Sequence, residues 1–129
     1  MGRDLHYTIP IFLEKRLNHH SAVSAWKRVN GDDYIAYEID RNRYRDTVTV
    51  VLSDAYLFTE FDFVNRPTIT CEYILVARPA ANYRISRLVT DAAKIGVGKL
   101  GEMMGALTSR EMWTYTPPSE EELKRRRKR

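Results

Sequence analysis

The chain has 129 residues, 43% of them hydrophobic and 29% charged, with a formal net charge of +4 at pH 7. That length sets an expectation of one domain, and the apolar share is enough for a core and excludes a wholly disordered chain. No apolar run reaches the roughly 18 residues of a membrane span, and the opening MGRDLHYTIPIFLEKR lacks the order of regions of a signal peptide, so the expected location is cytoplasmic.

The first element is a short helix over Pro10–Asn18, with proline in its first turn and Phe12, Leu13 and Leu17 on one side. Residues 21–29 are expected to continue the helix to about 29, because Ala22, Val23, Ala25, Trp26 and Val29 form a 3.6-residue stripe. Asn30-Gly31 competes with that reading as a strong hairpin signal. Four strands follow, Tyr34–Asp40, Thr47–Ser53, Ala55–Val64 and Thr68–Ala77, all rich in β-branched and aromatic residues. Their connectors are too short for a crossover helix, so an antiparallel meander is expected. Cys71, the one cysteine, lies in the last of these runs and reads as a reduced core thiol.

From Asn82 to Leu107 apolar residues recur at i, i+3, i+4 spacing, which predicts one long amphipathic helix. Within it, Gly96-Val97-Gly98-Lys99-Leu100-Gly101 matches G-x-G-x-x-G. A dinucleotide site needs a strand before that motif and a second βα unit after it. The preceding residues read as helix and little chain follows, so no nucleotide cofactor is expected. On a helix, Gly98, Gly101 and Gly105 share a face away from the apolar stripe, which points to close approach by the N-terminal helix or by a second copy of the chain in a homodimer. Arg110–Thr116 reads as a last strand. The fold class is thus α+β: an antiparallel sheet of four to six strands, an N-terminal helix and a long C-terminal helix on one face. One domain is expected over 1–118 and a charged tail over 119–129.

That tail ends in Lys124, Arg125, Arg126, Arg127, Lys128 and Arg129. Removing these six leaves 15 basic against 17 acidic residues, so the excess positive charge lies entirely there. Its natural partner is a polyanion, DNA or RNA first and an anionic membrane surface second, against a merely solubilising end. Arg41, Arg43 and Arg45 in a hairpin connector, with Arg84 and Arg87 farther on, add arginines interleaved with Tyr44 and Tyr83. Arginine binds phosphate and tyrosine stacks on bases, so a nucleic-acid-binding protein with little base specificity is the leading expectation. Solvated loops and ion pairs are the plain alternative. The absence of glutamine, with the high charged fraction, leans toward a hot environment.

Asp46 at the start of one expected strand and Glu60-Phe61-Asp62 in the next resemble the PD-(D/E)xK nuclease core. That family sets an Asp on one strand and Glu-x-Lys on the next, after an N-terminal helix that often carries a further Glu. The resemblance covers residues 10–80. It implies a phosphodiesterase dependent on Mg²⁺ or Mn²⁺, with Asp46 and Glu60 as metal ligands, Asp62 at the lysine position and Glu14 as the helix acid. Without the resemblance, the same acids read as the wet face of a half-exposed sheet.

Overall fold

In the computed structural model, which describes residues 8–32, 34–66, 69–78, 82–116 and 124–125, helix α1 (Thr8–Asn18) leads into a hairpin of β1 (Val23–Asn30) and β2 (Ile35–Arg41). The Asn30-Gly31 turn therefore prevails over the helical stripe at 21–29, and Gly31 N–H donates to the Tyr34 carbonyl at 2.9 Å. A tight turn then returns the chain as β3 (Asp46–Ser53), antiparallel to β2.

The antiparallel order stops at β3. Residues 55–64, expected as a strand, divide into β4 (Leu57–Phe58) and helix α2 (Glu60–Val64). Thr59 precedes that helix and its backbone N–H donates to Asp62 Oδ2 at 2.9 Å, which fixes the helix start. The alternation that resembles a strand thereby becomes one turn with Phe63 buried while Phe61 and Val64 face out. With a helix in the connection, β5 (Tyr73–Val76) lies parallel to β3. Every residue of β5 is buried, as expected of a parallel strand covered on both faces.

The long helix expected over 82–107 is likewise four shorter elements. They are β6 (Asn82–Tyr83), paired with β4, then α3 (Arg87–Ala93), β7 (Gly96–Gly98) and α4 (Leu100–Ala106). Ser86 Oγ caps α3 through Leu88 N–H at 3.2 Å, and Lys94 ends it in the left-handed conformation at φ 59°. β7 is parallel to β5 and completes a mixed sheet of order β1-β2-β3-β5-β7. Residues 110–116, expected as a strand, instead hold a 3₁₀ turn at Met112–Thr114. The α+β class and the N-terminal helix stand; the four-strand meander and the long C-terminal helix do not.

Two buried layers sandwich the sheet. Leu13 and Leu17 of α1, with Met103, Met104 and Leu107 around α4, cover Tyr37, Ile39, Val50 and Leu75. On the other face Phe58, Phe63 and Ile95 cover Ala36, Val51, Ile74 and Val76. His20 joins α4 to the β1 entry: its Nδ1 accepts from Ala22 N–H at 3.1 Å, which leaves Nε2–H to donate to the Met104 carbonyl at 2.9 Å. Among the described residues no helix is long and apolar enough to cross a membrane.

Cys71 is buried beside the second layer, and burial pushes its thiol up to about 11. The thiolate is the nucleophile, so iodoacetamide at pH 8 is expected to spare the native protein and to alkylate Cys71 only on unfolding. Native-state labelling at the rate of a free thiol would contradict this packing.

Candidate functional site

The amino ends of the parallel strands form a charged surface, and Arg41 builds it. Arg41 closes β2 with its side chain 1% exposed. It donates to both Asp46 oxygens at 2.9 and 2.8 Å and to the carbonyls of Leu107, Ser109 and Arg110. These hydrogen bonds hold Asp46 below the usual carboxylate range, with Arg110 adding a smaller pull. Next to Arg41, Tyr44 donates to the Thr108 carbonyl at 2.7 Å and lies 4.5 Å beneath the guanidinium. The turn of residues 42–45 is thus fastened to the segment that leads into the 3₁₀ turn.

That fastening gathers cations that are far apart in sequence. Asp46, Glu72, Glu111, Lys94, Arg110 and Trp113 line a recess of about 180 Å³ at this end. Glu72 is partly committed, since Oε1 accepts Thr49 N–H at 2.6 Å. Lys94 and Arg110 are exposed, and the side chains of Arg45, Lys94 and Arg110 form no hydrogen bond or ion pair with a described residue. Arg43 and Arg45 are exposed on the adjoining turn.

Trp113 also borders a second recess, of about 150 Å³, along β7. Its other polar lining residues are Tyr73, Tyr83, Tyr115, Glu102, Arg87 and Thr90. Burial, then the neighbouring Glu102, push the Tyr73 and Tyr83 phenols further above their ordinary range, so both hydroxyls remain protonated. Arg87 pairs with Asp91 at 2.9 Å and donates to the Trp113 carbonyl at 3.1 Å. A third recess, toward the carboxyl end of β3, is lined by Tyr34, Asp54, Asp62, Arg66 and Cys71.

The residues expected from the sequence are only partly assembled. Arg41 is a buried structural cation rather than a phosphate contact, because its donors are committed to protein acceptors. Arg43 and Arg45 stand at the charged end, Arg87 beside Trp113, and Arg84 elsewhere, its backbone N–H on the Phe58 carbonyl. Lys124 and Arg125 are exposed, and Arg126, Arg127, Lys128 and Arg129 lie outside the described residues. Asp46 and Glu60 are not brought together: one begins β3, whereas the other begins α2 beyond the far end of β3. Asp62 caps α2, and Glu14 accepts the Tyr37 hydroxyl at 2.6 Å on the α1 face. Among the described residues no three His, Cys, Asp or Glu side chains converge as metal ligands.

The three glycines share no helix face. Gly98 ends β7 and faces the Tyr73 hydroxyl, Gly105 faces the Tyr115 ring, and Gly101 is open. Lys94, Arg110 and Trp113 are the residues that sequence reading missed, because only β7 and the Arg41 contacts bring them beside Asp46. Comparison with protein-family models, with curated proteins and with solved structures gives no match to this chain.

Proposed function

We propose that the chain binds nucleic acid, chiefly through phosphate, across the end of the molecule formed by Arg43, Arg45, Lys94 and Arg110, with Trp113 as a stacking surface beside them. The observation that carries the reading is conformational. Among the described residues, the non-glycine positions with positive φ are Arg45 at 51° and Lys94 at 59°. A left-handed conformation costs a side-chain-bearing residue roughly 1–2 kcal/mol, and such strain clusters at functional sites. Glycine would relieve it at both positions, and Asn or Asp would tolerate it better. Both positions hold cations instead, both are exposed without an acidic partner, and both stand at the same end of the sheet. Interleaved cations and an aromatic ring suit a single strand, whose phosphates and base faces are both accessible. The Lys124–Arg129 run would extend the same phosphate attraction.

The test separates charge from fold. Lys94→Gly is expected to raise stability by up to about 1 kcal/mol, the relief of the left-handed strain less glycine's greater unfolded-state freedom. The same variant is expected to weaken binding of a fluorescein-labelled oligonucleotide, with the slope of log K against log salt falling by about 0.7–0.9. Arg45→Gly should behave alike. Unchanged affinity and slope in both variants would overturn the assignment, whatever happens to stability.

A further inference from the structure

The recess along β7 has features that phosphate binding does not need. Its walls are the rings of Tyr83, Tyr115 and Trp113, and Glu102 contributes a carboxylate to it. A carboxylate set among aromatic rings suits a ligand that is flat, apolar on its faces and rich in N–H donors at one edge. The carboxylate is also held in a defined orientation. Glu102 Oε1 accepts the Lys99 backbone N–H at 2.9 Å and the Tyr83 hydroxyl. Both donors fall on the same oxygen, and Oε2 accepts no hydrogen bond from a described residue. Beneath the recess, Gly96 and Gly98 let the Tyr73 ring lie against β7, where a Cβ on either would collide with it.

Resting on the nucleic-acid reading above, we infer that this recess is a nucleobase pocket that selects guanine, with Glu102 Oε2 as its acceptor, Tyr83 and Tyr115 as its walls and Arg87 at its mouth. Guanine presents N1–H and N2–H side by side on its Watson–Crick edge, so both can reach one carboxylate oxygen. Adenine and cytosine each offer one amino group beside a ring nitrogen whose lone pair faces the carboxylate. Uracil and thymine flank their single N–H with two carbonyls, which Glu102 repels. A single unstacked base, read on its Watson–Crick edge between aromatic rings, is the usual mode of single-strand recognition. Trp113 borders this recess and the cationic one alike, so a base in the pocket leaves the adjoining backbone at Lys94 and Arg110.

The experiment uses four labelled nonamers, T4-X-T4 with X as G, A, C or T, measured by fluorescence anisotropy. Wild type is expected to hold the G oligomer about tenfold more tightly than the T oligomer, the lower part of the range for a well-made base contact. Glu102→Gln keeps an acceptor for Lys99 N–H but adds an amide donor, and is expected to level the four oligomers: the G oligomer loses its acceptor, and the T oligomer gains because the carboxylate no longer repels its carbonyls. Tyr83→Phe removes one of the two donors on Oε1, leaves Oε2 as it was and is expected to keep the guanine preference. If Glu102→Gln does not fold, Trp26→Phe leaves Trp113 as the only tryptophan of the two in the chain. Its fluorescence should then be quenched more by the G oligomer than by the T oligomer, and equal quenching would overturn the pocket. Four wild-type affinities within twofold of each other sink the base pocket and leave phosphate binding standing. No salt-sensitive binding of any oligomer sinks both.

Discussion

Replacing Arg41 with alanine is expected to cost about 3–5 kcal/mol, the range for truncating a large buried side chain. The estimate rests on what is left behind. Asp46 sits at the rim with its side chain 41% exposed, so water can solvate it once the guanidinium is gone. The carbonyls of Leu107, Ser109 and Arg110 lose their donor together, and the volume of a large buried side chain is emptied. A buried acceptor left unsatisfied costs roughly 1–3 kcal/mol. Against a domain stability of about 5–15 kcal/mol, the variant stands near the edge of folding. Arg41→Lys should recover only part of the loss, because an ammonium cannot reproduce the fork that engages both Asp46 oxygens and the carbonyls at once.

Urea denaturation of the two variants checks the magnitude, and its pH dependence checks the cause. Asp46 has a lowered pKa in the native state, so its contribution is present above the ordinary carboxylate range and is lost as pH falls through the native value. With Arg41 removed that acid limb of the stability profile is expected to flatten. Hydrogen exchange should also quicken over residues 107–115 before it quickens in β3, since Arg41 and Tyr44 are what fasten that segment to the hairpin. A change below 1 kcal/mol with an unaltered acid limb would mean that the segment is held by its apolar contacts instead.

How much of this was legible in the sequence depends on which signal decided each element. The β1–β2 hairpin was written in Asn30-Gly31, and β2 and β3 in their β-branched runs. The crossover was also written, in Thr59-Glu60-Phe61-Asp62, a capping pattern inside a stretch whose aromatic alternation suggested a strand. Local hydrogen bonding prevailed over periodicity there, and with it went the direction of β5. The region 82–107 failed for a different reason. Its apolar residues satisfy a helical period, yet Lys94 turns left-handed after α3, and Gly96–Gly98 pair with β5 through contacts distant in sequence. The charged end follows the same division. Its hairpin arginines could be read locally, whereas the burial of Arg41 and the approach of Lys94, Arg110 and Trp113 are consequences of tertiary structure alone.

The glycine motif yields the last expected result, in which alanine at Gly98 and at Gly96 is destabilising for distinguishable reasons. No glycine of the described chain has positive φ, so backbone freedom explains neither position. A Cβ at Gly98 would fall 2.2 Å from the Tyr73 hydroxyl, and one at Gly96 would fall 2.5 Å from the ring carbon Cδ2. Tyr73 is 3% exposed and packed between β3 and β7, so it cannot swing aside. Each substitution is expected to cost about 1–3 kcal/mol by overpacking. Tyr73→Phe deletes only the oxygen. It should therefore relieve Gly98→Ala, with a coupling of about 1 kcal/mol in a double-mutant cycle. Relief is partial, because Glu102 Cβ remains 3.0 Å away. Gly96→Ala meets carbons that phenylalanine retains, so its cost should stand unchanged in the Tyr73→Phe background. Gly101 completes the comparison: nothing lies within 4 Å of a Cβ there, and Gly101→Ala in α4 is expected to stabilise by up to about 1 kcal/mol. Equal relief of Gly96→Ala and Gly98→Ala by Tyr73→Phe would show that the ring shifts as a body. The glycines would then be tolerating a mobile side chain instead of shaping a fixed seat for it beside Glu102.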